Sequence, residues 1–158
     1  MKMHRAVHIA AAASDDYAWC ARLMASSDPW ITLCRDLEEC RSTLTRPGSE
    51  LFVARDQESE KIPPLGFILL APYGFAGSPY IASVAVAAEA QGQGIGSQFL
   101  DFAEQHFRSH AHLFLLVSSF NQRAQQFYRR HGYEFVGELN DYIVCGHSEL
   151  IFHKRLHD

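Results

Sequence analysis

Three glycines, Gly92, Gly94 and Gly96, divide two stretches of opposite periodicity. Before them, Tyr80 to Val86 alternates and is rich in β-branched residues, the habit of a strand. After them, Ile95, Phe99, Leu100, Ala103 and Phe107 recur at helical spacing. Strand, glycine turn and helix start therefore follow one another between Pro79 and His110. The first N–H groups of a helix lack intrahelical partners, and the helix dipole adds partial positive charge there. Glycine lets the backbone take a positive φ and come close to a bulky group. The expected tenant is a phosphate or pyrophosphate. A turn that uses glycine only for its geometry would account for one such residue better than for three.

Spacing separates the common anion loops. The phosphate loop of nucleotide hydrolases ends in Gly-Lys-Ser/Thr, and no lysine occurs between Lys61 and Lys154. The dinucleotide fingerprint needs its third glycine where Ser97 stands, and an acid after the next strand, where Ser118 and Ser119 stand. A dinucleotide oxidoreductase is therefore disfavoured. The pattern that fits is Gln91-x-x-Gly94-x-Gly96, which resembles the pyrophosphate signature of the GNAT superfamily, the acetyl-coenzyme A-dependent N-acetyltransferases. A second segment, Asn121-x-x-Ala124-x-x-x-Tyr128 followed by Gly132-Tyr133, looks like that family's later helix and Gly-aromatic turn. The two motifs stand in the family's order and separation, and the likeness covers roughly residues 80–137. It implies an α/β fold: a mixed sheet of about seven strands with four helices. Strands 4 and 5 would be parallel and splayed around the coenzyme.

The length of 158 residues suits a single domain spanning 1–158. No stretch is long enough to cross a bilayer, and Met1 to Arg5 does not read as a cleavable signal. The net charge of −4 and scattered basic residues argue against nucleic acid as a partner, and no membrane partner is expected. Cys20, Cys34, Cys40 and Cys145 form no Cys-x-x-Cys pair, so a reducing, cytoplasmic setting without a zinc or redox site is expected.

Along the chain, Ala6 to Ala10 reads as a strand, and Ser14 as the N-cap of a helix through Trp19, Cys20, Leu23 and Met24. Asp28-Pro29-Trp30 breaks that helix. Leu33, Leu37, Cys40 and Leu44 share one face of a second helix. Glu50 to Arg55, Leu65 to Leu70 and Tyr80 to Val86 read as an antiparallel meander, with turns at 57–61 and 73–78. The glycine helix would end near His110, and Leu113 to Val117 would return as a parallel neighbour. A helix from Asn121, a strand from Glu134, a loop over 140–147 and a last strand from Ser148 to Leu156 complete the reading.

Acetyl transfer to an amine needs a neutral nucleophile, a donor for the oxyanion and a proton for the departing thiolate. Tyr128 is the candidate proton donor. It lies about two turns after Asn121, on a helix face that the resemblance sets beside the coenzyme sulfur. Asn121 would bond the pantetheine arm, cap its helix, or both. The resemblance implies that Val84 and Val86 flank the arm through their backbone, like an added strand. Gln91, Gly92, Gln93, Gly94, Ile95, Gly96 and Ser97 would then cradle the pyrophosphate. Arg129 and Arg130 read more simply as a solvated pair.

The general base is not legible, with Glu89, His147 and a water relay left open. The i,i+4 pair His106 and His110, with His112, lacks a further ligand in register, so no metal is expected. For the acceptor, the family's two substrate loops correspond to 26–32 and 140–147. Trp30, Tyr142 and His147 have the surface there to recognise a ligand. The expected partner is a small-molecule or peptide amine, and a homodimer is left open. The rival from another class is a non-catalytic coenzyme A-binding or sensing module of the same fold.

Overall fold

A computed structural model describes residues 4–57 and 62–158. Most of the expected turn at 57–61 and the start of the Met1 to Arg5 segment lie outside the described residues. Seven strands form one sheet: β1 (Val7–Ala11), β2 (Glu50–Asp56), β3 (Gly66–Phe75), β4 (Ser78–Val86), β5 (His112–Ser118), β6 (Glu134–Leu139) and β7 (Glu149–Arg155). Their order is β1-β2-β3-β4-β5-β7-β6. Four α-helices accompany them among the described residues: α1 (Ser14–Ala25), α2 (Leu37–Leu44), α3 (Ile95–His106) and α4 (Gln122–Arg130). No described helix is long and apolar enough to cross a membrane.

Every strand pair is antiparallel except β4 with β5. That pair is hydrogen-bonded only around Tyr80–Phe114 and Ile81–Leu115, and then parts. The cause lies on the other edge of β4. Leu70 pairs with Ile81 and Leu69 with Ser83, so Ala82 is an extra residue, a β-bulge. A bulge bends its strand and raises the local twist. Here it bends β4 at the point where β4 leaves β5, and a V opens in the middle of the sheet.

Each side of the sheet has its own core. Ile95, Phe99, Leu100 and Ala103 of α3 pack on Ile68, Ile81, Leu113, Leu115 and Phe152. Cys20, Ala21 and Met24 of α1, with Cys40 and Leu44 of α2, cover Leu51, Val53, Phe67 and Leu69 on the opposite face. Burying a side chain the size of Phe99 contributes about 1.5–3 kcal/mol. The two cysteines buried here are packing groups, and burial pushes the Cys20 thiol up to about 12.

Several local expectations need correction. The N-cap of α1 is Ala13, and Ser14 is already helical. The capping work falls to Asp16, whose carboxylate accepts the Ala13 N–H at 2.8 Å. Leu33 is buried but precedes α2, which starts after the cap Asp36, where Asp36 and Glu39 each accept the other's backbone N–H. Tyr73, Gly74 and Phe75 belong to β3 rather than to a turn. The hairpin closes on Ala76 and Gly77, both at positive φ, as tight two-residue turns require. Alanine seldom takes that conformation, so the turn carried no usual signal. Finally, α3 stops at His106.

Candidate active site

The V between β4 and β5 opens into a cleft of about 930 Å³. Beyond Ile81 the β5-facing edge of β4 carries backbone N–H and C=O groups with no β5 partner. Val84 and Val86 line this stretch, and the Gln91 carboxamide donates to the Val86 carbonyl at 3.2 Å. Gly92 has φ 78° and open space where a Cβ would be, whereas Gly94 has φ 80° and caps α3. The first intrahelical bond of α3 runs from the Gln98 N–H to the Gly94 carbonyl, so the amides of Ile95, Gly96 and Ser97 precede it.

The other motif side chains have protein partners. Ile95 is buried core. Gln93 donates to the Glu89 carbonyl and accepts from Arg5. A Cβ on Gly96 would come to 3.2 Å of the Phe127 ring, so that glycine lets α4 close on α3. The Ser97 hydroxyl lies 2.9 Å from His131 Nε2. His131 Nδ1 lies 2.8 Å from the Phe127 carbonyl, which assigns the ring proton to Nδ1 and makes the Ser97 hydroxyl the donor. A Cβ on Gly94 would meet the His4 ring at 2.7 Å. What this loop offers an anion is therefore mainly backbone.

Asn121 is the N-cap of α4 and lines the cleft. Its carboxamide oxygen accepts the Ala124 N–H at 3.2 Å, which leaves the NH2 for a ligand. Tyr128 also lines the cleft, is 8% exposed, and makes edge contacts with Phe127 and Tyr133. Its hydroxyl forms no hydrogen bond within the described residues. Burial pushes its phenol well above the ordinary range, so it stays protonated at neutral pH. Arg129 lies 5.5 Å from the Phe152 ring centroid, and Arg130 is exposed.

Of the residues expected to meet an acceptor, Trp30 lines the cleft and packs against Phe67, while Tyr142 is an exposed residue of its mouth. His147 sits edge-on to Phe120 and is not among the lining residues. Glu89 is exposed, in the short turn Ala88–Ala90. His106 is engaged by Phe102, Phe107 and Glu50. A smaller depression of about 410 Å³ over Phe102, His106 and Arg108 contains none of the motif residues.

Tyr80 and Glu149 are among the cleft residues not singled out from sequence. Tyr80 lines the cleft where β4 and β5 part, and burial, with Glu149, Tyr142 and Tyr128 nearby, pushes its phenol up. Glu149 opens β7 and is 5% exposed. Burial raises its carboxyl above the ordinary value, and Ser118 and His147 oppose that rise. Its one sequence signal was an acid at the head of an apolar strand, a place acids rarely occupy without a reason.

Comparison with known proteins agrees with this geometry. The model of the acetyltransferase (GNAT) family matches residues 11–133. A GNAT-family protein from Desulfovibrio desulfuricans superposes with a TM-score of 0.76 at 18% identity, covering 96% of this chain and all (100%) of that one. An aminoglycoside 6'-N-acetyltransferase solved with coenzyme A superposes at 0.72 and 14% identity, covering 96% and 98%. Nourseothricin acetyltransferase matches at 0.61 with 25% identity, over 70% of this chain and 67% of its own. No curated protein matches the chain by sequence.

Proposed function

The chain belongs to the GNAT acetyltransferase family, and from that premise we propose that it moves an acetyl group from acetyl-coenzyme A to a primary amine by direct attack. The observation that carries this reading is the parting of β4 from β5 beyond Ile81, with Gln91 of the glycine loop, Tyr128 and Asn121 lining the opening. An extended pantetheine arm suits an unpaired strand edge, because its amides can take the bonds a neighbouring strand would make. The pyrophosphate suits the free amides of residues 95–97 and the loop at Gly92. The Asn121 NH2 is a further donor to the arm.

In this reading the acceptor nitrogen attacks the thioester carbon and a C–N bond forms. The carbonyl electrons move to oxygen, where backbone N–H donors steady the charge. The C–S bond then breaks, the thiolate takes the Tyr128 proton, and the surplus proton of the new amide nitrogen restores the phenol. The thioester is already activated, so holding the reactants in place supplies much of the remaining acceleration.

The test is incubation with acetyl-coenzyme A and a panel of amines, following release of the free thiol. The panel holds spermidine, lysine, an unblocked tripeptide and an aminoglycoside. We expect amine-dependent thiol release and an acetylated product by mass spectrometry. Coenzyme binding without turnover of any amine would favour the binding or sensing module instead.

A further inference from the structure

Glu149 occupies an expensive position. It pairs in register with Ser118, the last residue of β5, so their side chains share a face of the sheet. Leu113, Leu115 and Val117 point into the core under α3, so by alternation Ser118 and Glu149 look to the other face, the one α1 and α2 cover farther along. Both residues line the cleft, as do Tyr80, Tyr128 and Tyr142. Glu149 Oε2 and the Ser118 hydroxyl are buried without hydrogen-bond partners. Among the described residues, neither lysine nor arginine pairs with Glu149. Of the other acids of the cleft wall, Asp28 holds Thr32 and Glu39 caps α2 and meets Arg35, while Glu38 is solvent-exposed on α2 and Glu149 alone is buried. A buried carboxylate with an empty oxygen is costly unless a cation completes it.

We propose that Glu149 is the acceptor's anchor and proton receiver: its carboxylate binds the acceptor's ammonium group and takes the proton that must leave before attack. The substrate class that follows is cationic primary amines. This inference rests on the acetyl-transfer reading given above. A primary alkyl amine titrates near ~10, so at neutral pH it arrives almost entirely as the ammonium ion, which has no lone pair to attack with. The ammonium gives one proton to Glu149, and the neutral nitrogen then attacks the thioester carbon. As the C–S bond breaks, Tyr128 protonates the thiolate. The new nitrogen's surplus proton restores the Tyr128 phenol, and Glu149 releases its own to solvent. The products are the acetamide, the free coenzyme thiol and one proton. A neutral acceptor would leave the carboxylate unpaired in the cleft and so be rejected. The groups near Glu149 are Tyr80 from β4, Ser118 from β5 and His147 from the loop before β7, while Tyr128 of α4 and Tyr142 line the same cleft. Burial places its carboxyl closer to the amine's range than an exposed glutamate would be, which eases the transfer.

The test is Glu149→Gln, which keeps the shape and removes the charge. At pH 7.5, with spermidine, lysine, an unblocked tripeptide and an aminoglycoside as acceptors, kcat/KM for the amine should fall on the order of 10²-fold. The acetyl-coenzyme A Kd should stay within about twofold. The deficit should shrink as pH rises toward the acceptor's own pKa, because free amine no longer needs the base. Tm should hold or rise at neutral pH, since a carboxyl raised by folding disfavours the native state above its unfolded pKa, and that difference should close in acid. A variant within about threefold of wild type across pH, with the wild type turning over amines, overturns the role of Glu149 and leaves acetyl transfer standing. A marked fall in Tm at neutral pH would make Glu149 a structural residue and would also overturn it. A wild type that binds the coenzyme and acetylates no amine overturns the acetyl-transfer reading and this inference with it.

Discussion

Tyr128 combines a packed ring with a hydroxyl at the cleft wall, so its two parts can be separated by mutation. Tyr128→Phe keeps the ring contacts with Phe127 and Tyr133 and removes only the proton. We expect kcat to fall on the order of 10²-fold, with coenzyme affinity and Tm nearly unchanged, since the hydroxyl has no hydrogen bond within the described residues to lose. Steady-state rates measured where chemistry limits turnover decide it, and a kcat within about twofold of wild type would remove Tyr128 from the mechanism. At this scale the chain was legible where position follows from spacing along one element, as with Asn121 and Tyr128 of α4, which both line the cleft. It was not legible where position arises across the sheet. The one local mark of Glu149 is an acid at the head of an apolar strand, and its meaning comes from its register with Ser118. Gly96 is a middle case, since its smallness also serves the Phe127 ring against α3.

Among the elements, α1 is pinned to β2 by one buried ion pair. Asp16 is 4% exposed, accepts the Ala13 N–H and pairs with Arg55. Burial alone would raise its carboxyl, but the Arg55 guanidinium and the Ala13 N–H outweigh it and hold the group below its ordinary value. A depressed carboxyl contributes stability that is fully present above its unfolded pKa and is lost as pH falls through the folded one. Asp16→Asn should therefore cost on the order of 3 kcal/mol at pH 7, read from urea midpoints. The gap to wild type should close as pH drops below ~4; a gap unchanged down to pH 3 would mean that the charge plays no part. This pair was read from sequence only as two acids favouring a helix dipole, because its partner lies on another strand. The boundaries of α2 and of the β3–β4 hairpin were misjudged for a related reason. Leu33 is apolar because it is buried in a turn, and Ala76 takes a conformation its residue type does not advertise.

Over the whole molecule, the sheet is built to be interrupted. One bulge at Ala82 turns β4 away from β5, and the two motifs visible in the chain reach the gap through Gln91 ahead of α3 and through Asn121 and Tyr128 at α4. The mixed sheet, the parallel central pair and the four helices follow from those motifs and from alternation, which is why they could be expected. The rest of the cleft wall, proposed to receive the acceptor, draws on α2, the turns before it, the start of β7 and the loop before that strand, so it comes together only on folding. Acetyl-coenzyme A binding between the glycine loop and the parted edge of β4 is what every proposed step depends on. The direct measurement is an amide shift map of the protein titrated with acetyl-coenzyme A. The largest changes should fall on residues 91–97, on 82–86 of β4 and on Asn121. Changes centred instead on the depression at Phe102, His106 and Arg108, or saturation without any change in the glycine loop, would contradict it.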